Sequence, residues 1–479
     1  MISSDRMAAV DRNAAALGVA RKQLMESSGN AVAHEVRARA DPGDRVALVC
    51  GRGNNGGDAM VAARFLDDHE VAVHLLGRPE TIATDIAREN WTALRRAGYE
   101  TRVVADSRAF DLDAPDLVVD AMLGTGVTGA LREPAATAAR RINDAAATVV
   151  SVDVPSGVDA DTGEAAGVRV EADAVVTFHD LKPGLTDRDD VTVAGIGIPE
   201  AASLFVGPGD LGRLGRDPRS HKGDNGEVLV VGGGPYTGAP TLTARAALRA
   251  GADLVRVACP ASVADEIQGY DENLIVTPVP GETVGPAHVE DLLDRAADQD
   301  VVVLGPGLGD GEATLSAAES FLAAYDGRAV VDADALRVVP GVDTDAELLC
   351  TPHQGELRGM GGPAADDWRD RADAVAEFAG EVGATLLVKG ARDVVTDGDR
   401  TRVNRTGNPG MTVGGTGDVL AGVCGALVAD GALDAVAAGA VAAFAVGRAG
   451  DAAAAARGNG LVATDITERL PEALRDDDA

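Results

Sequence analysis

The sequence predicts two consecutive α/β domains, each built on a largely parallel β-sheet with helices on both faces. Three observations carry that expectation. At 479 residues the chain is too long for one core, since domains run to roughly 100–200 residues. An apolar strand running into a glycine turn and then a helix occurs near the start and again near Val228. The composition, 46% hydrophobic but 3% aromatic with 59 glycines, suits Ala/Val-rich layers joined by tight turns better than a β-sandwich.

The first 40 residues read as helical, with Leu24, Met25, Ala31 and Val32 at helical spacing and Ser28-Gly29-Asn30 as an interruption. A strand, Arg45–Cys50, meets the turn GRGNNGGD (51–58) and a helix through Val61, Ala62 and Leu66. Strands follow at Val71–Leu76, Leu117–Asp120, Thr148–Asp153 and Ala174–Phe178, separated by helical stretches, which implies a parallel sheet. Around 207–217 the periodicity lapses into Gly, Pro and charge, so a linker is expected between domains 1–206 and 218–479. The second domain restarts with strand Val228–Gly232 and helix Thr241–Ala250. Strands follow at Leu254–Ala258, Val301–Leu304, Ala329–Asp332 and Thr385–Lys389, with helices from Thr416 onward.

The formal net charge is −33, and only Lys22, Lys182, Lys222 and Lys389 are lysines. This balance argues against nucleic acid or an anionic membrane as partner, and it fits a chain kept soluble in concentrated salt. Cys50, Cys259, Cys350 and Cys424 form no CxxC pair and have no His cluster nearby, which points away from a disulfide framework or zinc site. The charged N-terminus lacks a signal-peptide core and no long uninterrupted apolar run is evident, so a cytoplasmic protein is expected.

The chemistry concentrates at strand ends. In NRTGNPGMTVGGTGDVL (404–420) glycines feed a helix start, whose N–H groups make an anion site suited to phosphate. Asp418 at its mouth is either a helix cap or a base that deprotonates a hydroxyl attacking a phosphoryl group. HKGDNG (221–226) is a basic turn able to touch phosphate. GGGPYTGAP (232–240), GPGLG (305–309), DADAL (332–336), TPHQGEL (351–357) with His353, and Lys389-Gly390-Ala391 close five strand ends on one crevice.

Together these motifs resemble the ADP- or ATP-dependent NAD(P)H-hydrate dehydratase family, of ribokinase-like fold, over 218–479. The resemblance implies phosphorylation of the hydroxyl on a hydrated nicotinamide ring, loss of phosphate and return of the ring double bond. It places Asp418 as base, with Asp418, His353, Ala239 and Gly307 toward the hydrate. Lys389, Gly390, Ala391, Arg392, Asp393 and Gly417 hold the adenine nucleotide, and magnesium accompanies phosphoryl transfer. An archaeal or bacterial source, which the salt-adapted composition favours, implies ADP by family analogy. Thr412-Val413 departs from the family's Ala-Thr.

In the first domain GRGNNGGD is joined by DAMLGTGVTG (120–129) and SVDVPSGVD (151–159). Oxygens of Asn55, Asp120 and Ser156 suit a hard monovalent or divalent cation, and the glycine loops suit pyrophosphate. With DRNAAALGV near the start and the later HDLKPGL, the segment resembles the NAD(P)H-hydrate epimerase family, a Rossmann-like three-layer fold, over about 1–206. The resemblance implies interconversion of R and S hydrates, with potassium on Asn55, Asp120 and Ser156. Substrate would meet Asn54, Asn55, Gly56, Gly57, Asp58, Gly124, Thr125, Gly126, Val127, Thr128, Gly129, Ala130 and Asp153, with Asp153 for acid/base work. Ala59 stands where the family has glycine, a change tolerable only at negative φ. A bifunctional repair enzyme acting on small molecules, as a homo-oligomer, is the leading reading. A ribokinase-like small-molecule kinase and a nucleotide sensor without turnover are the alternatives.

Overall fold

A computed structural model describes residues 1–126, 128–365 and 367–476, and the chain divides into two compact units, Met1–Ala202 and Ser203–Ala479.

The first unit runs α1 (Ser4–Ala16), α2 (Arg21–Arg37), β1 (Arg45–Cys50), α3 (Asn54–Ala63), β2 (Glu70–Leu76), α4 (Asp85–Ala97), β3 (Glu100–Val104), β4 (Leu117–Ala121), α5 (Ala135–Asn143), β5 (Thr148–Val152), β6 (Ala174–Phe178) and β7 (Val191–Ala194). The seven strands are ordered 3-2-1-4-5-6-7 and every pair is parallel. Strand order reverses between β1 and β4, where open α/β sheets place their ligand crevice beyond the strand C-termini.

Ser28-Gly29-Asn30, expected as an interruption, lies inside α2. A Cβ on Gly29 would sit 2.4 Å from Val61 and 2.7 Å from the Asp58 carbonyl. The glycine is therefore a point of close helix packing against α3, and hydrogen bonding along α2 continues past it. Ala59 falls within α3, whose helical φ is negative, so its methyl group is compatible with the backbone there.

After α6 (Glu200–Leu204), which straddles the division, the second unit runs β8 (Glu227–Val231), α7 (Gly238–Ala250), β9 (Leu254–Pro260), α8 (Ala261–Tyr270), β10 (Ile275–Val279), α9 (Val289–Ala296), β11 (Val301–Leu304), α10 (Glu312–Ala324), β12 (Arg328–Val331) and β13 (Glu347–Cys350). It continues through α11 (Gln354–Gly359), α12 (Trp368–Val382), β14 (Thr385–Val388), β15 (Asp393–Thr396), β16 (Thr401–Asn404), α13 (Thr416–Asp430), α14 (Ala435–Arg457) and α15 (Ala463–Ala473). Its nine strands are ordered 10-9-8-11-12-13-14-15-16. The parallel expectation fails at one edge: β14–β15 and β15–β16 are antiparallel, because the links at 389–392 and 397–400 are too short for a crossover.

The expected linker at 207–217 is also revised. Pro208–Arg213 forms a 3-10 helix, Leu211 is buried in the second unit's core, and Phe205 bridges to Val403 beside β16. Asp210 accepts from the Arg402 guanidinium at 2.9 and 3.0 Å, with both side chains nearly buried. Asp210→Ala strands that guanidinium and is expected to cost about 3 kcal/mol, seen as a lower unfolding midpoint of the second unit. A loss below about 0.5 kcal/mol would mark the segment as a passive connector.

Helix α14 bears on the membrane reading, although Arg448 and Asp451 interrupt its apolar run. It is long and apolar enough to cross a membrane by length and composition, but 78% of its most apolar window is buried inside the second unit. Its apolar residues join the same core cluster as β8, β11, α7 and α13.

Candidate active sites

In the first unit the switch point opens into a cavity of about 1430 Å³. Asn54, Asn55, Asp58, Gly124, Thr125, Gly126, Thr128, Gly129, Ala130 and Asp153 line it. Gly56 and Gly57, expected to meet substrate, do not. A Cβ on Gly56 would lie 2.2 Å from the Gly51 carbonyl and one on Gly57 2.8 Å from Met25, so both serve packing around the start of α3. Val127 lies outside the described residues.

Asn55, Asp120 and Ser156 come together under the cavity floor. Asp120, at the end of β4, is fully buried and accepts from Ser156 Oγ (2.6 Å), Ser156 N (2.8 Å) and Ser151 Oγ (2.8 Å). Asn55 Nδ2 donates to the Leu123 carbonyl at 2.9 Å, and Leu123 N donates to Ser156 Oγ at 3.1 Å. Burial raises the Asp120 carboxyl above its ordinary range despite these donors.

Asp153 leaves β5 at φ 68°, a strained conformation for a non-glycine residue and one that persists where function or packing enforces it. Thr177 Oγ1 donates to its Oδ1 at 3.2 Å and Thr125 N to its Oδ2 at 3.4 Å. Two further carboxyls line the same cavity. Asp58 is held well above its usual range, first by burial and then by Asp153; Asp11 is raised to about 6 for the same two reasons. Sequence reasoning missed Asp11, Thr177 and Lys182, the last of which also lines the cavity. Its rarity as one of four lysines was the available signal.

In the second unit five neighbouring strands, β8, β11, β12, β13 and β14, end in the expected loops. The turn HKGDNG lies before β8, at the opposite end of that strand from Gly232, and is bound to Asp253 through Gly223 N, Asn225 N and Asn225 Nδ2. This end of the strand lies away from the crevice, so the phosphate contact that its basic residues suggested is not made there. At the crevice, a Cβ on Gly307 would fall 2.4 Å from the Tyr236 carbonyl and 3.4 Å from Ala239, which brings these two loops into contact.

Asp418 sits in the first turn of α13, beyond Gly415 at φ 94°. Lys389 reaches the same point from the end of β14. Its Nζ lies 3.0 Å from Asp332 Oδ1 and 3.7 Å from Glu356 Oε2, and a Cβ on Gly417 would be 3.2 Å from it. Burial opposes the charge of Lys389, but Asp332, Glu356 and Asp418 outweigh it, so the ammonium titrates above its usual value. The Asp418 carboxyl is pushed up to about 7, mainly by burial and then by Asp332, with Lys389 opposing. Asp332 and Glu356 were not singled out from sequence, although both stand in motifs that were.

His353 is the N-cap of α11. Its Nδ1 accepts from Gly355 N and Glu356 N, each at 2.9 Å, so the proton belongs on Nε2, and the side chain is 59% exposed. Lys389 N donates to the Pro352 carbonyl, which pairs the two strand ends carrying His353 and Lys389. Gly390 N donates to Asp393 Oδ1 at 2.9 Å, which closes the turn that exposes Ala391, and the Arg392 guanidinium lies 5.2 Å from the Trp368 ring centroid. Thr412 Oγ1 donates to the Pro409 carbonyl, so this departure from the family pattern closes its own turn.

Two α/β units, each converging carboxylates and glycine loops at strand ends, define a two-site enzyme of the nucleotide-handling α/β class. The family of NAD(P)H-hydrate dehydratases matches residues 228–472, and the family described as YjeF-related protein N-terminus matches 21–184. The bifunctional NAD(P)H-hydrate repair enzyme Nnr of Methanothermobacter thermautotrophicus is 43% identical over 98% of this chain and 94% of its own. That of Archaeoglobus fulgidus is 42% identical over 99% and 98%. The chain belongs to the bifunctional NAD(P)H-hydrate repair enzyme family. A crystal structure of a hypothetical protein from Streptococcus mutans shares the fold of the second unit, at TM-score 0.50 and 22% identity over 57% of this chain and all of that one.

Proposed function

We propose that the first unit interconverts the R and S hydrates of NADH and NADPH and that the second dehydrates the S form at the expense of ADP or ATP. The observation that carries the second half is Asp418: a carboxyl near neutrality at a helix N-terminus, beside a buried ammonium. Asp418 takes the proton of the ring hydroxyl, and the oxygen so freed attacks the terminal phosphoryl group. The P–O bond to the nucleotide breaks, the phosphate then leaves the ring with its C–O bonding pair, and a ring proton is lost as the double bond re-forms. Hydroxide leaves poorly and phosphate well, which gives the nucleotide its purpose.

Lys389–Asp393 and Gly417 border the nucleotide, while Ala239, Gly307 and His353 border the hydrate. Among the described residues no three His, Cys, Asp or Glu side chains form a metal cluster. Magnesium, where bound, would draw ligands from the nucleotide phosphates and offset their charge. In the first unit Asn55, Asp120 and Ser156, with the Leu123 carbonyl, offer oxygens and a single carboxylate, a donor set suited to potassium. Bound there, the ion would offset the charge of Asp120 and fix the loop from Leu123 to Thr125.

Phosphorus NMR of a turnover mixture tests the reading: orthophosphate should accumulate in step with reduced cofactor. A stable phosphorylated product would instead make the second unit a kinase. A further expectation follows from the raised Asp418 carboxyl, which must be ionised to act. Dehydratase kcat/KM should climb with pH along a limb centred near 7; a limb near 4 would mean that burial does not raise Asp418 in the working site.

A further inference from the structure

The first unit holds a lysine that its proposed chemistry has not yet used. Lys182 follows β6, is fully buried, and is the largest such side chain among the described residues. Its ammonium donates to the Phe178 carbonyl at 2.7 Å and the Asp180 carbonyl at 3.2 Å, and it lies 3.3 Å from Asp153 Oδ1. A buried ammonium is costly unless paired, and removing one partner leaves the other charge uncompensated. Two carbonyls and a carboxylate fix this one at the back of the cavity.

The surroundings of Asp153 explain why a cation is needed. Thr177 from β6 and the Thr125 amide from the loop after β4 donate to it. Asp58 on α3 and Asp11 on α1 present carboxyls to it, while Arg21 on α2 lies where it partly offsets Asp11. Three carboxyls therefore share one cavity wall. Lys182 touches Asp153 on Oδ1, which leaves Oδ2 on the side of Gly124 and Thr125, in the cavity lining. The residues at the two strand ends, Asp153 and His179, both hold φ 68°, so the backbone that brings Lys182 under Asp153 is strained on both strands.

We propose that Lys182 is a positioning residue for epimerisation: it holds Asp153 by Oδ1 and so turns the free Oδ2 toward the hydrate. This rests on the epimerase reading of the first unit. In that reading the ring nitrogen lone pair expels the hydroxyl as hydroxide with its C–O bonding pair, Asp153 takes a proton from the water that adds to the other face, and that proton then neutralises the departed hydroxide.

The test uses the full chain with mixed R and S hydrates, where the second unit's consumption of the S form is an internal control. In Lys182→Met that fast phase should be unchanged. The slow phase, limited by epimerisation, should fall about 100-fold in kcat with KM little altered. Lys182→Arg, which keeps a cation there, should recover part of the rate. If Lys182 acts through Asp153, adding Lys182→Met to Asp153→Asn should cost nothing more. That non-additivity can be read even if the single variant is less stable. A slow phase within about 3-fold of wild type, no recovery in Lys182→Arg, or an additive double variant overturns the proposal. Absence of a slow phase in the wild-type chain would instead overturn the epimerase reading beneath it.

Discussion

Asp418→Asn is expected to lower dehydratase turnover by about 1,000-fold while the first unit still equilibrates the two hydrates. The substitution keeps volume and removes only the ability to accept a proton. Loss of folding cannot imitate the result, because the sign of the charge effect runs the other way. With its carboxyl raised to about 7, the folded chain holds a proton that the unfolded chain releases near 4. Ionising Asp418 therefore costs stability progressively as pH rises from about 4 to above 7, and the neutral amide removes that cost. At pH 8 the variant should melt no lower than wild type and turn over hardly at all. A variant that melts normally and retains more than about a tenth of wild-type turnover would exclude Asp418 as base.

Asp332→Ala should have the largest effect on stability. Asp332 is 3% exposed, accepts from Thr351 Oγ1 at 2.8 Å, and is the nearest carboxylate to the Lys389 ammonium. Its removal leaves a largely buried cation facing Glu356 at 3.7 Å and takes from the Thr351 hydroxyl its closer acceptor. Breaking a buried pair from one side costs about 3–5 kcal/mol. At about 2–4 °C per kcal/mol for a unit of this size, the second unit should unfold roughly 6–20 °C earlier. The first unit's transition should not move. Lys389, freed from Asp332, would also hold the Asp418 region less firmly, so turnover should fall as well. A shift under about 2 °C would mean that Asp332 is dispensable to the second unit's stability.

Much of this architecture was legible in the sequence, for identifiable reasons. Strands such as Arg45–Cys50, Ala174–Phe178 and Val301–Leu304 are almost wholly apolar because both faces of their sheets are covered. β7 and β10 were missed because they are edge strands with mixed burial, Val191–Ala194 and Ile275–Val279, and lack such runs. β15 and β16 escaped because their short links make a local hairpin in a sequence otherwise read as crossovers. Gly29 was misread because a glycine spared for helix packing has the same one-letter appearance as one that ends a helix.

The sites were legible at their loops and obscure at their supports. Asn55, Asp120, Ser156, Asp153 and Asp418 stand in glycine-rich strand-end segments, which local pattern exposes. Asp11, Thr177, Lys182, Asp332 and Glu356 act across the fold on those residues. Their partners are tens or hundreds of positions away in sequence, so spacing alone could not pair them.

Repair of both hydrates by one chain can be followed by incubating the full-length protein with an equal mixture of R and S hydrates of NADH and an excess of ADP, and recording the absorbance of reduced cofactor. A fast phase, a slower one and complete return of NADH are expected. A reaction that stops at half the hydrate, under conditions where the hydrates do not interconvert unaided, would contradict it.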